Sequence, residues 1–224
     1  MAALLCACQG PAPGTSYFPL DAGHRWRYDL ATEREAGGVE HEELVLETLG
    51  QQEFAGQPAW VRRSETGVDY FLRADASGIY RVASRLDVEA EPLKDAAPRY
   101  VLKAPLKVGT EWQADTNAYV LQRRQEFPPE IRNTHAPVMM TYTIAALGQG
   151  VDTRAGHFGD CLRVNGRALL RLFADAVSGW RDLPLTTTEW YCKGVGLVKV
   201  VREEPANSTF LSGGTMTLEL TEWK

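Results

Sequence analysis

Residues Thr186 to Glu203 read TTTEWYCKGVGLVKVVRE. Threonine, tryptophan and tyrosine lead into Gly194-Val195-Gly196, and Leu197, Val198, Val200 and Val201 lead out. β-Branched and aromatic residues on both sides of a short glycine turn predict a tight β-hairpin, because glycine supplies the positive φ such turns need. Cys192 lies on the incoming strand, and Cys161 is the other cysteine in the body of the chain. The hairpin is therefore expected to be stapled to a neighbouring strand.

The same period of two runs outward from this hairpin. Trp26, Tyr28 and Leu30 alternate with Arg27 and Asp29 in a strand over 24–30, and Met216, Leu218 and Leu220 alternate with Thr217, Glu219 and Thr221 in a closing strand over 215–223. Glycine turns separate further runs at 39–49, 59–65, 68–73 and 79–86, the spacing of an antiparallel meander. Strands are also expected at 111–124, at 138–147 and at 156–173, the last broken at the hairpin dipeptide Asn165-Gly166. Segments 87–98, 126–137, 174–184 and 205–214 are expected as loops. No stretch of useful length carries a helical period. The fold class is all-β: one strongly curved antiparallel sheet or open barrel, with 17–224 as a single domain.

One motif occurs twice. Pro19-Leu20-x-x-Gly23-x-x-Trp26 is matched by Pro105-Leu106-x-x-Gly109-x-x-Trp112. Each copy precedes a strand, so each reads as a proline-ended approach, a glycine bend and a tryptophan anchor. Two halves of one curved sheet is the preferred explanation.

Composition narrows the function classes. The 224 residues are 44% hydrophobic and 24% charged, a globular balance that is long enough to bury a core. A net charge of −5 disfavours a non-specific grip on nucleic acid or anionic lipid. The pairs Arg62-Arg63 and Arg123-Arg124 are expected on solvated strand faces. Near the N-terminus, Leu5-Cys6-Ala7-Cys8 has the Leu-x-small-Cys pattern of a lipobox, which marks Cys8 for lipidation. The apolar run is short for a signal peptide and no basic residues precede it, so it is expected to be the residue of a longer signal. Residues 1–16 then form a residual signal and tether. With Cys8 lipidated and Cys6 removed, Cys161 and Cys192 remain as a pair suited to an oxidising compartment.

The YFPL-x-x-G-x-x-W opening, the second PL-x-x-G-x-x-W, Gly156-His-Phe158-Gly-Asp-Cys161 and the Trp190–Lys199 hairpin together resemble a broad group of uncharacterised bacterial cell-envelope lipoproteins. That resemblance implies an exported, lipid-anchored β domain, and it brings no catalytic residues with it.

Sites of chemistry are sparse. His157, Asp160 and Cys161 lie close in sequence, but an extended strand separates His157 from Cys161 by about 13 Å, so no Cys/His nucleophile is expected. Glu40-His41-Glu42-Glu43 is split between two faces, His24, His41 and His135 are isolated, and neither a metal site nor a cofactor motif is expected. Tyr17, Tyr28, Tyr70, Tyr80, Tyr119, Tyr142 and the tryptophans are expected to fill a curved core, some of them lining an apolar cavity. The expected role is non-enzymatic, an envelope module in the periplasm anchored to the outer membrane that binds an apolar ligand or another envelope protein. An enzyme with a polar site assembled from distant strands is the alternative.

Overall fold

The computed structural model describes residues 16–123, 137–175, 179–206 and 211–224. The lipobox, Cys8, His135 and most of the 126–137 loop lie outside them. The described chain is antiparallel β. In the first half, β1 (Arg25–Arg34), β2 (Val39–Phe54), β3 (Gln57–Ser64), β4 (Val68–Asp75), β5 (Gly78–Leu86) and β6 (Leu93–Lys103) follow one another as a meander. The second half repeats this with β7 (Glu111–Thr116), β9 (Val138–Thr153), β10 (Gly156–Asp175), β11 (Gly179–Cys192), β12 (Gly196–Glu204) and β14 (Gly214–Trp223). Short strands β8 (Gln122–Arg123) and β13 (Leu211–Ser212) pair separately with each other.

The two halves join where β1 pairs with β14, giving a 12-stranded sheet with β6 and β7 at its ends. The sheet curls until those ends approach each other, so it is a barrel with a single seam. Arg99 Nε of β6 donates to the Asp115 carbonyl of β7 across that seam at 3.0 Å, where a continuous ladder would otherwise run.

The repeated motif marks equivalent corners. Gly23 and Gly109 take φ of 87° and 86°, values that an L side chain rarely adopts. The N–H of each is held by a strand carbonyl, Gly23 by Thr48 and Gly109 by Ile144. Trp26 and Trp112 then drop into the interior as the first anchors of β1 and β7.

Both barrel ends are closed by chain. Phe18, Pro19 and Leu20 are buried at the end where β1 begins, and the Ser16 carbonyl accepts from Gly194 N in the β11–β12 turn. At the other end Ala118, Val120 and Leu121 fold in between β7 and β8. They are pinned there by Glu204, whose carboxylate accepts the N–H groups of Tyr119, Val120 and Leu121 at 2.8–3.0 Å. Arg202 pairs with that carboxylate at 2.5 Å and also reaches Thr116 Oγ1 and the Asn117 carbonyl.

Cys161 and Cys192 stand directly opposite each other on β10 and β11 and are disulfide-bonded. They lie on the face opposite Leu162 and Tyr191, packed with Val151, Phe158 and Trp190. A smaller outer cluster of Ala59, Val61, Phe71 and Ala83 is roofed by Phe54 and Tyr80.

Four sequence expectations are corrected. The 87–98 loop is in part strand, since β6 starts at Leu93; it pairs with β5 alone, so Pro98 removes no needed donor, and the residues between Lys94 and Arg99 bulge out of register. The strand at 111–124 stops at Thr116 because Glu204 draws the next backbone N–H groups inward. Asn165-Gly166 makes no turn: Gly166 pairs with Tyr142 and Thr187, and a Cβ there would come 2.5 Å from Thr187 Cγ2 and 2.7 Å from Met140 Sδ. Its role is close strand packing. Finally, β11 begins at Gly179, not after Pro184. The β9 and β12 ladders end at Arg167 and Thr186, so beyond them β10 and β11 pair only with each other, an arm that tolerates Pro184.

Candidate functional site

A cavity of about 300 Å³ lies among side chains of both halves. Alternation places its walls: Tyr28 from β1, Leu46 from β2, Tyr70 and Leu72 from β4, Val101 from β6, Trp112 and Ala114 from β7, Tyr142 from β9 and Tyr191 from β11 all face it, with Phe18 closing one side. The Trp112 and Tyr142 rings stack 5.7 Å apart at 13°, a flat aromatic wall built by their direct pairing across β7 and β9. Burial drives the Tyr142 phenol up to about 12 and raises Tyr70, Tyr28 and Tyr191 as well, so these hydroxyls stay protonated.

Four charged side chains share this apolar space. Arg62 is buried between the rings of Phe18 and Trp26, with its guanidinium carbon 4.1 and 4.2 Å from their centroids. It donates to the Pro19 carbonyl and to Thr48 Oγ1. Burial lowers its pKa to about 10, which still leaves it charged at neutral pH. Arg81 is clamped by Asp95 through two bonds of 2.8 and 2.6 Å. Among the described residues Arg99 bonds only the Asp115 carbonyl, at the seam.

Among the described residues Glu189 is the one carboxyl on the wall. It is enclosed by protein but opens onto the cavity, and burial raises its pKa against the lowering effect of its bonds from Tyr191 Oη (2.6 Å) and Thr187 Oγ1 (3.4 Å). The indole N–H of Trp112, though buried, has no hydrogen-bond partner among the described residues.

This arrangement can enclose a small apolar or aromatic molecule and present polar groups to one part of it. A few placed polar groups in an aromatic-lined hollow is the usual make-up of a small-molecule site. Two expectations meet here: aromatic residues do line a cavity, and titratable groups from distant strands do converge. The interior Arg62 corrects the reading of Arg62-Arg63 as a solvated pair. Only Arg63 faces outward, where it grips Asp69 with Arg85.

The other candidates stay apart. Cys161 is spent in the disulfide, and the exposed His157 bonds Asp152 at 2.7 Å. Glu40, His41 and Glu43 each answer a β1 partner, respectively Arg34, Asp29 and Arg27, instead of converging. His24 packs beside Trp26. The aromatic residues do not all point inward: Tyr119 and Trp223 are exposed, and Trp180 on the β10–β11 arm is 62% exposed against Phe173.

No family model matches the chain, and no curated protein matches it. Two solved structures are similar to it: a provisionally assigned lipoprotein from Parabacteroides distasonis, at 14% identity and TM-score 0.42, and a provisionally assigned exported protein with a YmcC-like fold from Bacteroides fragilis, at 14% identity and TM-score 0.40. Each alignment covers 94% of this chain and 99% of the other. At TM-scores below 0.5 neither bears on function.

Proposed function

We propose that this chain is a non-enzymatic binding module of the bacterial cell envelope, and that it holds an apolar ligand inside its barrel. The observation that carries this reading is the cavity of about 300 Å³ walled by Tyr70, Trp112, Tyr142 and Tyr191. Aromatic walls with a few placed polar groups are the usual make-up of a small-molecule site. The location is supported by the disulfide, a bond that persists in oxidising compartments, and by the lipobox pattern ending at Cys8. On this reading the module is tethered to the outer membrane on its periplasmic side.

Ala114 is the smallest side chain on the wall. Ala114→Phe is expected to fill the cavity and weaken binding of the neutral fluorophore N-phenyl-1-naphthylamine at least about 10-fold, the worth of one lost aromatic-sized contact. Its far-UV circular dichroism should remain that of the wild type. Equal fluorescence enhancement by both proteins would count against an internal site.

An enzyme is the second reading, and Glu189 favours it. A carboxyl with a raised pKa, bonded by Tyr191 and facing a cavity beside arginines, is what a general acid requires. Recovery of the bound molecule chemically unchanged after prolonged incubation supports the binding module. Its conversion, abolished by Glu189→Gln, would support the enzyme.

A further inference from the structure

Resting on the reading of the barrel as a ligand site, the geometry points to the class of ligand: we propose a single-chain amphiphile with an anionic head, its head at Arg99 and Trp112 beside the seam and its tail among the tyrosines.

The charges on the wall single out Arg99. Arg81 is neutralised by its two-bond grip on Asp95. Arg62 is committed to the Pro19 carbonyl, to Thr48 and to two aromatic faces. Among the described residues Arg99 has no carboxylate partner, and its Nε bond to Asp115 leaves both Nη groups without an acceptor there. Its charge nevertheless reaches into the hollow, since it lowers the pKa of Tyr70, Tyr142 and Glu189 against the effect of burial.

The second donor is the unpartnered indole N–H of Trp112, 4% exposed on the same wall. A buried donor without an acceptor is costly, and a charged acceptor repays it best. Arg99 is on β6 and Trp112 on β7, the two strands that meet at the seam, so both donors stand on the same side of the cavity. Burial favours the protonated form of Glu189, which carries no charge to repel an anion.

The seam also supplies a way in. The two meanders place the β1–β14 junction and the β7–β6 junction in corresponding positions. The first is zipped by a ladder from Trp26 to Arg34, whereas the second is bridged by the Arg99 side chain. A chain can enter between unpaired edges, and Arg99 then exchanges solvent for the head group without a strand pair having to break. The cavity volume lies at the lower end of the small-molecule range, which suits one acyl chain and not a two-chain lipid.

The test is displacement of N-phenyl-1-naphthylamine by dodecanoate, 1-dodecanol and dodecylamine. Dodecanoate is expected to compete at least about 10-fold better than either of the others. Arg99→Met should weaken dodecanoate about 10- to 100-fold while leaving dodecanol within about 2-fold, and Arg99→Lys should restore part of the loss. Equal potency of acid and alcohol, preference for the amine, or a parallel loss of both acid and alcohol in Arg99→Met would overturn the anionic head while leaving an internal site standing. Failure of the fluorophore itself to bind wild-type protein would instead remove the underlying reading.

Discussion

Glu204→Ala is expected to destabilise the protein by about 3–5 kcal/mol, the usual cost of stripping one partner from a buried ion pair. The carboxylate is fully buried and takes three backbone N–H groups, from Tyr119, Val120 and Leu121, besides Arg202. Its removal leaves all three donors without an acceptor and the buried Arg202 guanidinium, still bonded to Thr116 and Asn117, without its counter-charge. The segment that seals this barrel end then has no reason to stay folded inward, so Val120 and Leu121 lose their burial too. Glu204→Gln keeps an acceptor of the same shape and should fall between the two. Guanidinium denaturation followed by tryptophan fluorescence measures the differences. A midpoint shift in Glu204→Ala worth less than about 1 kcal/mol would show that the segment is held mainly by its apolar side chains.

The second large effect belongs to the disulfide. Cys161 and Cys192 are 31 residues apart, so removing the bond releases a denatured-state constraint of about 3–4 kcal/mol on the chain-entropy account. The double variant Cys161→Ala/Cys192→Ala avoids burying hydroxyls on the face occupied by Val151, Phe158 and Trp190. It should match reduced wild type in denaturant midpoint, and both should fall below oxidised wild type. A double variant as stable as the oxidised protein would mean that the β10–β11 ladder already supplies what the bond was thought to add.

The parts of this fold that were legible in sequence are those fixed by local periodicity. Trp26-x-Tyr28 and Leu218-x-Leu220 point inward because successive strand residues alternate, and nothing distant is needed to know it. The two PLxxGxxW corners were legible for the same reason: a glycine with positive φ ahead of a large aromatic residue is a local device. Where expectation failed, a distant group had intervened. Glu204, more than 80 residues away, ends the strand after Thr116. The neighbours of Gly166 on β9 and β11 convert a turn dipeptide into a close-packed strand position.

The site was legible only as a possibility. Aromatic residues in a curved sheet announce a cavity without locating it, since its wall draws on strands from both halves. The arginines were harder. Arg62-Arg63 looked like a solvated pair, yet the alternation that sends Arg63 out sends Arg62 in, alongside Trp60 and Leu72. That signal was present, and so was Glu189 between Thr187 and Tyr191. Their burial could not be read from strand order alone, because a strand does not declare which of its faces will close into a barrel. Arg99 was hidden further, in a proline-bearing stretch that becomes strand only at the sheet's edge.

The central claim is that the ligand goes inside. Photolabelling with a diazirine-bearing alkane, followed by peptide mapping, tests it most directly. Labels on Tyr70, Trp112, Tyr142 and Tyr191 are the predicted result. Labels confined to Leu169, Phe173 and Trp180 on the exposed β10–β11 arm would contradict it and make this an outward-facing docking protein instead.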